Sequence, residues 1–441
     1  MAKFLASTLL LLLLMTGWQA TASSSQAVKS ERHQLIEQAW QAVNDRFYDT
    51  RFHGIDWPHV RQEALQTEYA NQQMTYAAIR SMLARLNEPA TRFLTAEQFT
   101  ALLKEFTAPE HIGVGLIELL SADLHDQSRK LTVITPVPNS SASRAGLRPG
   151  DIIETINSQP TAGLSLADAM TRLRGPDATS VTITVRRGNR LFIIELPRRT
   201  VRIPNPPVQA MLKEARGQRF LYIRLEQFTQ NSGKEMRQTI THLLNPTIYG
   251  LILDLRNNPG GAMSACQEVA GIFLGEQVLA KVKGRNETTV NLKGVGDKLT
   301  DIPIAVLVNE GSASAAEVIA VALQAHHRAI VVGSRTFGKG LVHSAQALTD
   351  GSALMITTGR LQTLTGRDIL IHGIQPDYPV AMSESPLLNP ASIAPASSKD
   401  RQFVRAVEKL LTGQPMLNSP PILKSANRQP TGMPVLAKPV R

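Results

Sequence analysis

Residues 302–324 read IPIAVLVNEGSASAAEVIAVALQ. Ile302 to Val308 form a continuous apolar run instead of an alternating one, the pattern of a strand buried on both faces. Asn309-Glu310-Gly311 supplies a turn, and the stretch that follows is apolar on nearly all sides and long enough for a buried helix. A buried strand that passes through a short turn into a buried helix is the building unit of an α/β core. The neighbouring sequence repeats that alternation in RFLYIRL (219–225), GKEMRQTITHLL (233–244), YGLILDL (249–255), AMSACQEVAGIFL (262–274) and AIVVGS (329–334). An α/β core is therefore expected over 205–384, followed by a C-terminal helix segment over 385–413, in which Asp400 caps RQFVRAVEKLL and Gly413 stops it.

The regions on either side follow other periods. Leu35, Ile36, Ala39, Trp40, Val43 and Phe47, then Tyr76, Ile79, Met82, Leu83 and Leu86, recur at three- and four-residue steps, which predicts a helical region over 31–105. From residue 110 to 200 the apolar runs become short and turn-bounded (KLTVITPV, GDIIETIN, SVTITVRRG, RLFIIELPRR), with one helical interlude in SLADAMTRLRG, so a β-rich domain is expected there. The chain is thus an α+β multidomain protein. It opens with Lys3, an apolar run to about Trp18 and Ala20-Thr21-Ala22, read as a cleaved signal peptide over 1–22. It closes, over 414–441, with six prolines and no acidic residue, a basic stretch too polar to fold.

Composition excludes several function classes. The formal charge of +11, from 47 Lys and Arg against 36 Asp and Glu, is spread along the chain instead of forming one stripe, which argues against a nucleic-acid partner. Contact of the basic tail with an acidic lipid surface is the lesser reading of that tail. The single cysteine, Cys266, permits no intramolecular disulfide and reads as a small core residue. His326-His327 lacks metal-ligand spacing, so neither a metal nor a cofactor is expected.

GSRTFGKG (333–340) nearly spells a phosphate-binding loop, but Gly340 stands where a hydroxyl should bind magnesium and the following sequence looks like strands. Lys339 suits a different chemistry, because a lysine in an apolar setting becomes a general base when burial withholds hydration from its ammonium. Such a base needs a nucleophile, and two serines compete. Ser314 falls near the N-terminus of the buried helix, where free N–H groups favour negative charge, while Ser312 could equally serve or simply cap that helix. Acyl transfer also needs oxyanion donors. LDLRNNPGG (253–261) ends a very apolar strand in a Pro-Gly-Gly turn that could present backbone N–H groups, although a plain strand-to-helix turn has the same sequence.

NEGSASAAE, VVGSRTFGKGLVH, LDLRNNPGG, NEPATRFL and GIQPDYPV, taken together, resemble the carboxyl-terminal processing proteases, serine peptidases with a Ser/Lys pair and an inserted PDZ domain. The resemblance covers about 35–412, and EQAWQAVNDRFYDTRFHGIDW (37–57) is similar to the branch that trims a photosystem II reaction-centre precursor. It implies Ser314 as nucleophile, Lys339 as general base, and Gly260 or Gly261 with Ala315 as oxyanion donors. It implies a PDZ-like domain in which Val114, Gly115 and Leu116 receive the terminal carboxylate of a protein substrate. Export to a periplasm or thylakoid lumen would follow. Two positions depart from the family: Ala316 replaces a second serine, and His343 stands where a glutamine is usual, four residues after the lysine. A straight strand keeps Lys339 and His343 apart, so contact requires a bulge; His343 would then orient the pair and add a pH dependence that His343→Gln flattens near neutrality. The departure at 343 leaves a non-catalytic peptide-binding scaffold as the alternative function.

Overall fold

In a computed structural model the described residues are 31–412 except 89, 108–109, 122–129, 163, 165, 203–206, 371 and 383–393, so the expected leader and basic tail lie outside them. The centre is a six-stranded sheet in the order Val208–Ala215, Gln218–Leu225, Ile248–Asp254, Ile304–Val308, Ile330–Gly333 and Tyr378–Pro379. The first pair is an antiparallel hairpin and every later pairing is parallel.

Period-two alternation sorts the strand residues between two cores. Leu221, Ile223, Leu251, Leu253, Ile304, Val306, Val308 and Val331 face one way, into the core that also holds side chains of the helices Ser232–Leu243, Met263–Leu274 and Ala315–Ala325. Phe220, Tyr222, Ile252, Ala305, Leu307 and Val332 face the other, against Phe403, Ala406, Val407 and Leu410 of the helix Arg401–Thr412. Asp400 accepts the Phe403 N–H and starts that last helix as the sequence leads one to expect. Cys266 lies fully buried in the first core, and burial pushes its thiol well above the usual range.

The helical region does not close on itself. The helix over 31–46 packs with Trp57–Gln66 and Gln72–Ala84, yet their core also takes in Phe93, Leu348, Leu354 and Ile356. Arg92–Leu94 pairs with the long strand Ala353–Gln362, whose other neighbours are Leu341–Ala347 and Val278–Gly284, so this second sheet joins the N-terminal helices to the chain that follows Lys339. The β-rich region forms its own sheet in the order Leu116–Ser121, Leu131–Pro136, Ile152–Ile156, Ser180–Arg187 and Arg190–Pro197, closed by the helix Leu166–Leu173.

One buried ionic group fastens the last helix to the central sheet. Asp254, at the end of its strand, and Asp400 both bind the Arg256 guanidinium, at 2.6 and 2.8 Å, and all three side chains are almost wholly inaccessible. Tyr222 donates a further hydrogen bond to Asp254 at 2.5 Å. Burial works against the Asp254 charge, but Arg256 and Arg224 outweigh it and hold the carboxyl down at about 2. Arg256→Ala is expected to cost about 3–5 kcal/mol in urea unfolding at neutral pH, because Asp400 would lose its buried cation and Asp254 would keep only Arg224, at 3.6 Å. The Asp254 contribution is complete above its unfolded value of 3.8 and is lost as pH falls toward 2, so acid unfolding should track that window.

Candidate active site

Parallel strands bring their carboxyl ends to one edge of a sheet, and loops gather there. Asp254 pairs with Leu307, and Val308 with Gly333, so the segments 255–262, 309–314 and 334–340 leave the sheet side by side. Hydrogen bonds cross between them. Ala313 N–H donates to Asn258 O at 2.9 Å, and Phe337 N–H to Ser312 O at 3.0 Å. Asn257 and Asn309 exchange two bonds of 2.8 Å, each using backbone or side-chain amide groups of the other.

Glu317 is the centre of this arrangement. It sits in the first turn of the helix Ala315–Ala325, fully buried, and accepts from Ser314 N–H (2.9 Å), Lys339 N–H (2.8 Å), Gly338 N–H (2.8 Å) and Thr336 Oγ1 (2.5 Å). Ser314 and Lys339 share the same oxygen, Oε2, so their nitrogens can be no farther apart than those two bonds laid end to end. Burial pushes the Glu317 carboxyl up to about 6, against the four hydrogen bonds that favour its charged form. All four partners are donors, so only the carboxylate satisfies them together.

Ser314 adopts φ 54°, ψ −116°, a conformation rare for a residue with a side chain, at the N-terminus of its helix. It is the one position from 311 to 320 that is not buried. Ser312 is inaccessible: its Oγ donates to Leu255 O at 2.7 Å and accepts from Asn309 N–H at 3.0 Å, which fixes the turn. Of the two serines, the structure therefore exposes Ser314 and commits Ser312 to the scaffold.

The Pro-Gly-Gly turn approaches Ser314 closely. A Cβ on Gly260 would stand 2.8 Å from Ser314 Cβ and 3.0 Å from Ala315 N, so only glycine fits, and its φ of 98° agrees. Gly260 N–H donates to Asn258 Oδ1 at 2.8 Å, and Asn258 Nδ2 donates to Leu225 O at 2.7 Å. Gly261 and Ala315 differ: among the described residues neither N–H has an acceptor.

Lys339 is half-buried between two buried glycines, and the sheet register shifts between Val342 and His343, which is the bulge that contact between 339 and 343 requires. His343 lies opposite Thr357 in that sheet, and its Nε2 is buried without a partner among the described residues. Burial first, then the positive charges of Arg92 and Lys339, push the imidazole down to about 3. That shift carries His343 away from the neutral range in which the sequence led one to expect a titration.

In the β-rich domain, Leu116 begins the edge strand Leu116–Ser121, and the N–H groups of Val114 and Gly115 have no acceptor among the described residues. The domain touches the turn that leads to Ser314: a Cβ built on Gly311 would stand 3.0 Å from Pro149 Cγ. Among the described residues no three His, Cys, Asp or Glu side chains gather as a metal site, and His326 Nε2 lies 2.7 Å from Val278 O. Sequence reasoning passed over Thr336, Asn258, Asn309 and Arg256 as site-forming residues. A signal existed for the asparagines, which cluster at two strand ends, but none for the threonine.

Residues 219–380 match peptidase family S41, 132–187 match a PDZ domain and 28–71 match the tricorn protease C1 domain. A carboxyl-terminal-processing protease of Synechocystis is 37% identical over 87% of this chain and 88% of its own length. A chloroplastic carboxyl-terminal-processing peptidase 2 of Arabidopsis thaliana is 34% identical over 80% of this chain and 70% of its own. A solved photosystem II D1 C-terminal processing protease is 31% identical, superimposes with a TM-score of 0.73, and is covered over 96% of its length by 85% of this chain.

Glu317→Gln preserves the size of the side chain but turns a donor group toward backbone N–H groups. It is expected to lower kcat more than tenfold with KM little changed, and to cost about 1–3 kcal/mol for each donor left unsatisfied. In the native protein the raised Glu317 value means that stability declines as pH rises from 4.5 to about 6, while the acceptor that the loops require exists only above about 6. Peptidase activity should accordingly show an acid limb no lower than about 6; undiminished activity well below it would contradict this role.

Proposed function

Because the chain belongs to the carboxyl-terminal-processing proteases of peptidase family S41, we propose that Ser314 is its acylating nucleophile and Lys339 the base that activates it. The chain is a serine peptidase, and the catalytic reading stands over the peptide-binding scaffold. The observation that carries the residue assignment is the shared Glu317 carboxylate, which binds the backbone of both residues through one oxygen.

The chemistry then follows from the geometry. The Ser314 hydroxyl attacks the scissile carbonyl while the Lys339 amine takes its proton, and the tetrahedral oxyanion receives the N–H groups of Gly261 and Ala315. Gly260, whose N–H serves Asn258, contributes closeness instead of a hydrogen bond. Collapse expels the C-terminal fragment as an amine that takes the proton back from Lys339. Water, deprotonated by the same amine, releases the acyl group. His343 supports the lysine strand as a neutral side chain.

Substrates are proteins with exposed C-termini. Val114, Gly115 and Leu116 receive the terminal carboxylate while the substrate chain extends the edge strand Leu116–Ser121. The apolar leader over 1–22 supports export, to a periplasm or a thylakoid lumen, and the remaining units are a helical region over 31–105, a PDZ domain over 110–200 and a peptidase core over 205–384. Since the solved relative is named for photosystem II D1 C-terminal processing, a precursor of that type is the first substrate to try.

A fluorophosphonate probe should label the purified protein at one site, and Ser314→Ala should abolish the label, as peptide mapping by mass spectrometry would show; labelling that survives would overturn the assignment. His343→Gln should retain activity within a few-fold and leave the shape of the pH profile unchanged across the neutral range. A profile that shifts near the ordinary imidazole value of about 6.5 would show that His343 titrates there after all.

A further inference from the structure

The hairpin Ser180–Arg187/Arg190–Pro197 ends in an apolar tip that nothing in the peptidase reading uses. Its second strand is the outer edge of the PDZ-like sheet, with Arg187 opposite Arg190, Arg186 opposite Leu191 and Thr184 opposite Ile193. Leu191, Phe192 and Ile193 are 65%, 38% and 78% exposed, whereas Leu196 farther along the same strand is buried. Alternation puts Leu191 and Ile193 on the solvent face of the sheet and Phe192 on the other, so the tip is apolar on both sides. Consecutive bulky apolar residues exposed in this way mark an interaction surface.

The surrounding charges indicate the partner. Asp151 binds Arg187 through two bonds of 2.7 Å, and Glu154 pairs with Arg186, so both nearby carboxylates are matched. Arg187 also lies over the Phe192 ring at 5.6 Å and donates to Gly146 O, which ties the tip to the body of the domain. Arg190 and Arg144 are exposed and have no carboxylate partner among the described residues, and the short helix Ser141–Arg144 packs against the edge strand. Glu195, the exposed acid of this strand, shares the face of Leu191 and Ile193 and lies two residues beyond Ile193, on the opposite side of it from Arg190. Exposed aliphatic and aromatic side chains bordered by uncompensated arginines fit an anionic lipid surface.

We propose that the tip Leu191–Ile193 enters the headgroup boundary of an anionic membrane, with Arg190 and Arg144 against the lipid phosphates. The geometry gives this docking a consequence. Asp151, which holds the tip through Arg187, is two residues from Pro149, and Pro149 packs beside Gly311 in the nucleophile turn. A docked tip would therefore bring the domain that packs on the Ser314 turn to the lipid surface. The docking itself does not depend on the peptidase reading, since it is measured without substrate.

The experiment is flotation of the purified full chain with vesicles of phosphatidylcholine alone or mixed with phosphatidylglycerol, over a range of salt. The native protein is expected to bind the mixed vesicles and to release them as salt rises. Leu191→Thr with Ile193→Thr keeps strand-forming residues at both exposed positions and should weaken partitioning about tenfold. Arg190→Glu should weaken it several-fold and flatten the salt dependence, and both variants should react with the serine probe at the native rate. Native protein that ignores mixed vesicles, or a threonine pair that binds them as well as the native chain does, would overturn the proposal. So would a native dimer that the threonine pair converts to monomer without any vesicle binding, a result that would assign the edge to a second copy.

Discussion

The site depends on one buried carboxylate. Glu317 lies in the first turn of a helix whose other side chains are almost all apolar, and it collects four donors, one from its own helix start and three from the loop 334–340. A buried charge is costly, as its rise to about 6 records, and it is tolerable only because each lone pair finds a donor. The return is positional. The helix start that carries Ser314 and the loop that carries Lys339 come from different strand ends, with 24 residues between the two, and nothing in either segment alone would set their spacing. The carboxylate also stabilises the unusual backbone of Ser314 by accepting its N–H at 2.9 Å.

Around that centre the scaffold is built to deny freedom to the loops. The Asn257–Asn309 exchange and the Asn258 bonds to Leu225 and Gly260 lock the glycine turn against the nucleophile turn. Arg256, adjoining those asparagines, is itself held by Asp254 and Asp400, so the last helix of the core is tied to the same loop. Thr336 closes the circuit, accepting from Ile374 N–H at 2.7 Å while donating to Glu317. Preorganised donors of this kind act on the transition state without reorganising at the moment of reaction.

Much of this was legible in the sequence where a period or a residue type carries it. Continuous apolar runs gave the buried parallel strands, three- and four-residue steps gave the helices, and Asp400 with its following apolar stripe gave the last helix. Ser314, Lys339 and the glycine turn stood out as candidates by residue type, and the fold brings their three segments to one edge of the central sheet. What stayed hidden was long-range pairing. No local pattern says that Arg92–Leu94 joins Ala353–Gln362, or that the N-terminal helices share a core with Leu354 and Ile356. Residue type leaves Ser312 and Ser314 nearly equal, and burial separates them. His343 is a related case: its ordinary titration range suggests a pH switch, whereas burial is what pushes its imidazole down and away from that range.

The most direct test is a crystal structure of the protein carrying a peptidyl boronate or aldehyde. The account requires a covalent bond from Ser314 Oγ, the ligand oxygen within hydrogen-bonding distance of the Gly261 and Ala315 N–H groups, the Lys339 amine beside the adduct, and both Ser314 and Lys339 N–H groups still on one Glu317 oxygen. An adduct on any other side chain, or a Glu317 carboxylate that has released either N–H while the site is loaded, would contradict it.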